Sequence, residues 1–233
     1  LNEGLRGLIA WTGLQVDVAK LEKDKFKRQY ANDWVSLMTP IIKSFATDVG
    51  CEATNLAVQI YGGHGYIKDH GIEQLVRDAR ITPIYEGTNG IQALDLVGRK
   101  MPMHSGRLLK SFFHLVKEYI EKNSFNYNLS EFMPLLTKSF NRLQQVTAFI
   151  ASKGINDPEE SAGPAVDYLK MFALVAIGYT WTRYAEIASK KLNDDPEEFY
   201  KAKIESGKFY MNKLLPETGS LMSSIMSGAK SYN

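Results

Sequence analysis

The chain has 233 residues, of which 44% are hydrophobic, enough for one large or two modest globular cores. Lys and Arg number 28 against 26 Asp and Glu, split as 12 against 12 in residues 1–100 and 16 against 14 in the rest. Neither part has the charge excess of a nucleic-acid or membrane-surface binder. A single cysteine, Cys51, excludes an intrachain disulfide and a cysteine-based zinc site, which is simplest in a cytoplasmic protein.

In chain order, Leu5, Leu8, Ile9, Thr12, Val16 and Ala19 fall at helical spacing and predict a first helix. The opening Leu1-Asn2-Glu3-Gly4 is already close to that register and reads as a cut. Residues Lys20 to Arg28 read as a polar connection, after which Asn32 caps a second helix through Phe45, bent at Pro40. A third helix runs from about Glu52 to Tyr61 and stops at Gly62-Gly63, residues able to take left-handed backbone angles. Four glycines in residues 62–71 predict a compact loop. A short helix from Ile72 to about Arg80 follows, then the irregular Thr82 to Thr88, then a helix from Asn89 to Arg99.

Beyond Met101-Pro102, one helix is marked by Leu108, Leu109, Phe112, Val116 and Ile120, the next by Phe132, Leu136, Phe140, Leu143, Val146 and Ile150. Asn156-Asp157-Pro158-Glu159 and Asp194-Asp195-Pro196-Glu197 each combine a capping side chain, a first-turn proline and acidic residues. They start helices from about Glu160 to Leu192 and from Pro196 to Leu214, and Pro216 opens a last one. Phe112, Phe113, Phe140, Phe172, Trp181 and Phe209 read as core. The apolar run Met171 to Trp181 is about half the ~20 residues that cross a bilayer. No stretch alternates with period two, so the expected class is all-α, without sheet.

Three features invite chemistry. Gly62-Gly63-His64-Gly65 follows helical spacing, not a strand, so it lacks the context of a dinucleotide fingerprint. His64, Asp69 and His70 could suggest a metal site, but the histidines are six apart, which matches no helical ligand pair, and no metal site is expected. Glu86 lies between Tyr85 and Gly87 on a glycine-hinged turn, where partial desolvation would strengthen it as a base. Spacing alone favours a plain surface glutamate in a turn. Asp78 reads as an ion-paired helix residue and Cys51 as a buried small one.

Taken together, Gln59-Ile60-Tyr61-Gly62-Gly63-His64-Gly65-Tyr66, Leu75-Val76-Arg77-Asp78-Ala79-Arg80 and Ile84-Tyr85-Glu86-Gly87-Thr88-Asn89-Gly90-Ile91-Gln92 resemble the hallmark block of the acyl-CoA dehydrogenase family. The resemblance implies a C-terminal helical bundle in residues 1–103. Residues 104–233 are similar to the second helical domain of a bacterial subgroup related to methylthiopropionyl-CoA dehydrogenases. It further implies an FAD-dependent oxidoreductase of fatty acid metabolism, with Glu86 as the base that takes the α-proton of an acyl-CoA and Gly87 facing substrate. Gln59, Ile60, Tyr61, Gly62 and Gly63 match the stretch that contacts the FAD of a neighbouring subunit. Thr88, Asn89 and Gly90 match flavin-contacting positions at a helix N-terminus, where backbone amides meet polar or phosphate atoms. Many family members carry Gln in place of Gly90, which offers backbone only.

The family's N-terminal helical domain and middle β-domain have no counterpart in this sequence, so the chain alone is expected to be inactive and without bound FAD. The implied partners are acyl-CoA, a homo-oligomer and an electron-transferring flavoprotein or similar acceptor. Apolar surface for self-association is expected on the Leu5 to Val16 helix. A helical interaction module with no chemistry of its own is the competing reading.

Overall fold

The computed structural model describes residues 1–194 and 198–229, and no β-strand occurs among them. Helix α1 (Asn2–Leu21) buries Leu5, Leu8 and Thr12 against α2 (Lys25–Tyr61) and a long later helix, α9 (Ala165–Lys191). Only Glu22 to Asp24 separate α1 from α2. Asp24 accepts from the amides of Phe26 at 2.8 Å and Lys27 at 3.1 Å, satisfying the orphan donors that define a helix start. The expected cap, Asn32, therefore lies inside α2, where it donates to the Arg28 carbonyl at 3.0 Å.

The two helices expected between Asn32 and Tyr61 are one. Helix α2 runs for 37 residues, about 55 Å at 1.5 Å per residue, and passes through Pro40, which is buried on its inward face and lacks the N–H for one backbone bond. It ends at Gly62, whose φ of 59° and ψ of −140° are open to glycine alone. Gly63, by contrast, is right-handed and begins the short α3 (Gly63–Tyr66). A 3₁₀ turn (Lys68–His70) and Gly71, at φ 71°, lead into α4 (Ile72–Arg80), as the spacing predicts.

Helix α5 (Asn89–Asp95) passes into a π-helical turn (Leu96–Lys100), and α6 (Met103–Asn123) contains three left-handed residues, His104, Ser105 and Gly106. Helix α7 (Met133–Gly154) follows. The single helix expected from Glu160 to Leu192 is instead two. Asp157 caps α8 (Pro158–Ala162), accepting from Glu159 N at 2.9 Å, and α9 begins after Pro164, which has no amide to continue the ladder. Of the second capped start, Asp195, Pro196 and Glu197 lie outside the described residues. Helix α10 (Phe199–Phe209) runs into a π turn (Tyr210–Leu214), and Pro216 sits in the 3₁₀ turn (Leu215–Glu217) that opens α11 (Thr218–Met226).

Helix α9 is the axis of the core, touching α1, α2, α5, α7, α10 and α11. Met171 to Trp181 is wholly buried. Its buried hydroxyls bond back along the helix, Thr180 to Ala176 O at 3.0 Å and Thr182 to Gly178 O at 2.9 Å. Phe112, Phe140, Phe172 and Trp181 are core and Phe113 is half-buried, but Phe209 is 61% exposed, because Tyr210 and Met211 take the inward face of the π turn. One hydrophobic cluster joins residues on both sides of the boundary expected at residue 103. Between those sides, Asp33 accepts two hydrogen bonds from Arg107, at 2.7 and 3.0 Å. No helix of the described residues is long and apolar enough to cross a membrane.

The exposed apolar surface also differs from expectation. Helix α1 shows Ile9, Leu14 and Leu21, whereas the larger exposed set, Leu56, Ile60, Tyr61, Leu75, Tyr85 and Ile91, lies on and beyond the C-terminal half of α2. Helix α1 has already spent its apolar face on α2 and α9.

Candidate active site

The segment between α4 and α5 is held by its own backbone. Ala79 O accepts from Thr82 N at 3.0 Å and Thr82 Oγ1 at 2.7 Å, and Ile81 O from Ile84 N at 3.0 Å and Tyr85 N at 3.2 Å. The chain then reverses through two left-handed residues, Glu86 at φ 54° and Gly87 at φ 86°. Glycine takes that angle freely, whereas for glutamate it costs about 1–2 kcal/mol. Contacts to the carbonyls hold the reversal. Gln92 Nε2 donates to Glu86 O at 3.1 Å and to Gly87 O at 3.4 Å, and Lys43 Nζ donates to Gly87 O at 2.8 Å.

Asn89 fixes this turn to α2. Its Oδ1 accepts from Lys43 Nζ at 2.7 Å and Thr47 Oγ1 at 3.3 Å. Its Nδ2 lies within hydrogen-bond reach of Asp48 Oδ1 at 2.7 Å, Thr47 Oγ1 at 2.9 Å and Ser44 O at 3.1 Å. The Asn89 amide N donates to Pro83 O at 3.1 Å. The side chain is thus committed to α2. Lys43 and Thr47, which complete this arrangement, carry no local sequence signal, being more than 40 residues from their partners. Gln92 lies in the quoted motif but is marked there by nothing except position.

Glu86, Gly87, Thr88 and Gly90 are exposed, and Asn89 is half-buried. The partial desolvation expected of Glu86 is not supplied by this chain, because its apolar neighbours Ile84 and Tyr85 themselves face solvent. A cleft of 390 Å³ adjoins the turn, lined by Asp48, Cys51, Arg80, Pro83, Ile84 and Thr88. Cys51 is half-buried and directs its thiol to Ala79 O at 3.4 Å. Asp78, expected to be ion-paired, accepts instead from Gln74 Nε2 at 2.7 Å.

Gln59, Ile60, Tyr61, Gly62 and Gly63 are all exposed and stand apart from the turn. The turn docks on α2 at Lys43 to Asp48, and Gln59 lies a further eleven residues along the helix, about 17 Å. The two predicted groups of site residues therefore do not converge within one chain. Among the described residues no three side chains are placed to share a metal ion.

Two family models match. Residues 11–101 match the acyl-CoA dehydrogenase C-terminal domain, and residues 112–233 the family described as acetyl-CoA dehydrogenase C-terminal like. The 3-methylmercaptopropionyl-CoA dehydrogenase of Ruegeria pomeroyi is 31% identical over 93% of this chain and 37% of its own length. A butyryl-CoA dehydrogenase of Syntrophomonas wolfei is 26% identical over 93% of this chain and 36% of its own. Among solved structures, an acyl-CoA dehydrogenase of Bacillus anthracis complexed with FAD superposes with a TM-score of 0.71 at 19% identity, covering 96% of this chain and 40% of that one. The chain thus spans little more than a third of the length of these curated relatives. It belongs to the acyl-CoA dehydrogenase family, of which it carries the C-terminal helical part.

Proposed function

We propose that this chain supplies the C-terminal share of an FAD-dependent acyl-CoA dehydrogenase active site, in which Glu86 removes the α-proton of an acyl-CoA thioester. The observation that carries the reading is the turn itself. An exposed carboxylate sits on a reversal whose carbonyls are fixed by Gln92 and Lys43, with Asn89 just beyond it pinned to α2. A base must be held within hydrogen-bond reach of the proton it takes, and a glutamate on a braced turn supports that reading. Gly87, next to it, faces the substrate in this reading and offers it backbone only. Water is excluded, in this reading, by the rest of the enzyme. The relatives named for acyl-CoA substrates support the thioester class.

The residues present fit part of a flavin nucleotide. No atom lies within 4 Å of where a Cβ would stand on Gly62, Gly63 or Gly90, so a cofactor has open access to bare backbone there. When bound, the flavin accepts the β-hydride. Gln59 to Gly63 and Thr88 to Gly90 hold it, and their separation along α2 supports the reading that the first stretch serves the cofactor of a neighbouring subunit. The exposed Ile60, Tyr61 and Leu75 support a homo-oligomer that covers them. Reoxidation falls to an electron-transferring flavoprotein or similar acceptor. Residues 1–103 carry the site and residues 104–233 form an appended helical unit. By itself the 233-residue chain is folded, colourless and inactive. Rapid mixing of acyl-CoA with the full-length enzyme bearing Glu86→Gln tests the reading, since flavin reduction should nearly stop while substrate still binds.

A further inference from the structure

The loop after α2 turns two histidines onto each other. His64, in α3, and His70, at the end of the 3₁₀ turn, are six residues apart, yet His64 Nδ1 and His70 Nε2 stand 3.1 Å apart. Both side chains are exposed, and their ring planes cross at 82° with centres 4.9 Å apart. A linear N–H···N bond of that length would hold the ring centres roughly 5.4 Å apart. The shorter distance means that the hydrogen bond between them, one ring donating and the other accepting, is bent. Two imidazoles sharing one metal ion have that geometry. With bonds of about 2.0–2.1 Å, nitrogens 3.1 Å apart subtend roughly 98° at the ion, between square-planar and tetrahedral, and the ring centres fall about 4.8 Å apart.

We propose that His64 and His70 form a surface chelate for a divalent transition-metal ion of the zinc, nickel or copper class, which clasps α3 to the turn before Gly71. Imidazole nitrogen suits those ions, whereas magnesium and calcium require oxygen donors. The chelate offers two protein ligands and water completes the shell, so the affinity is modest. Helical spacing missed the pair because it is not helical: Gly65 allows the chain to fold back, since a Cβ there would stand 2.6 Å from Val58 O. The clasp would tie down the loop that follows Gly62 and Gly63. It rests on the loop alone and is independent of any role for Glu86.

The metal-free 233-residue chain, titrated with Zn²⁺ alone and separately with Ni²⁺ in a calorimeter, should bind one ion near neutral pH. His64→Gln and His70→Gln should each weaken that binding by at least about tenfold, since loss even of a group supporting a ligand costs that much. His114→Gln, at an exposed residue of α6 paired with Glu118, should leave it unchanged. Acidification should release the ion as the imidazoles protonate. Bound Cu²⁺ should show two coordinated nitrogens by electron paramagnetic resonance in the wild type and at most one in either variant. Absence of saturable binding by the wild type, or equal binding by wild type and both variants, overturns the proposal.

Discussion

Lys43 Nζ lies 2.7 Å from Asn89 Oδ1 and 2.8 Å from Gly87 O, so one ammonium on α2 holds both the residue after Glu86 and the first residue of α5. Hydrogen bonds to a charged group are worth about 1.5–3 kcal/mol, less here because the ammonium is only half-buried. Lys43→Met and Asn89→Ala should each lower stability by roughly 1–2 kcal/mol in urea denaturation. The double variant should lose less than the sum, because both remove the same contact. Strict additivity would separate Lys43 from the turn.

Neighbouring glycines at the end of α2 should respond differently. Gly62 has φ 59° and ψ −140°, whereas Gly63 is right-handed with open space around it. Gly62→Ala should cost about 1–3 kcal/mol, and Gly63→Ala should be close to neutral by the same measurement. Equal effects would mean that the backbone angle at Gly62 is not what its sequence position serves.

Two glycines on α1 offer a second contrast. A Cβ on Gly4 would stand 2.4 Å from the buried Trp181 Nε1, and one on Gly7 would stand 1.9 Å from the Tyr184 hydroxyl. Trp181 is locked in the core, so Gly4→Ala should destabilise by about 1–3 kcal/mol through overpacking. Tyr184 is half-buried, so its ring can shift further than that of Trp181, although Thr180 Cγ2 also stands 3.0 Å from that Cβ. The gain of roughly 1 kcal/mol in helix propensity should then leave Gly7→Ala near neutral. Thermal unfolding of the two variants checks the order, and a larger loss at Gly7 would contradict it.

Much of this was legible in the sequence. Capping chemistry at Asp157 and the glycines at 62 and 71 mark real helix ends, and the bounds of α4 follow from them. The continuity of α2 between Phe45 and Glu52 was not legible, because the apolar spacing lapses there around Gly50, a residue of weak helix propensity. Spacing also failed where contact is long-range, as for Lys43 with Asn89, or where a loop brings together His64 and His70. The exposure of Glu86 had no local signal either, since apolar neighbours in sequence do not bury a residue when they themselves face solvent.

Buried tyrosines make the fold sensitive to alkali. Burial pushes Tyr179 up to about 12, and Tyr119, Tyr168 and Tyr210 are also held above their ordinary value, chiefly by burial. An unfolded tyrosine releases its proton near pH 10. Between about pH 10 and 12 the folded state therefore binds more protons, so stability is intact below that window and falls as pH rises through it. Tyrosinate absorbance should rise in two stages, the second coinciding with loss of the helical circular dichroism signal. A single stage across all 12 tyrosines with the helical signal intact would contradict this.

The proposed role of Glu86 as the base is tested most directly by removing its basic oxygen. Glu86→Gln keeps the size of the side chain and removes the basic oxygen, and at an exposed position it should leave folding unchanged. Stopped-flow reduction of the flavin by acyl-CoA in the full-length enzyme measures the step directly. The rate should fall by about a hundred- to ten-thousand-fold, with substrate binding still visible as a perturbation of the oxidised flavin spectrum. A rate within about threefold of wild type, far below the range expected for general-base catalysis, would make Glu86 a turn residue only and place the base outside these 233 residues or on another helix of the enzyme.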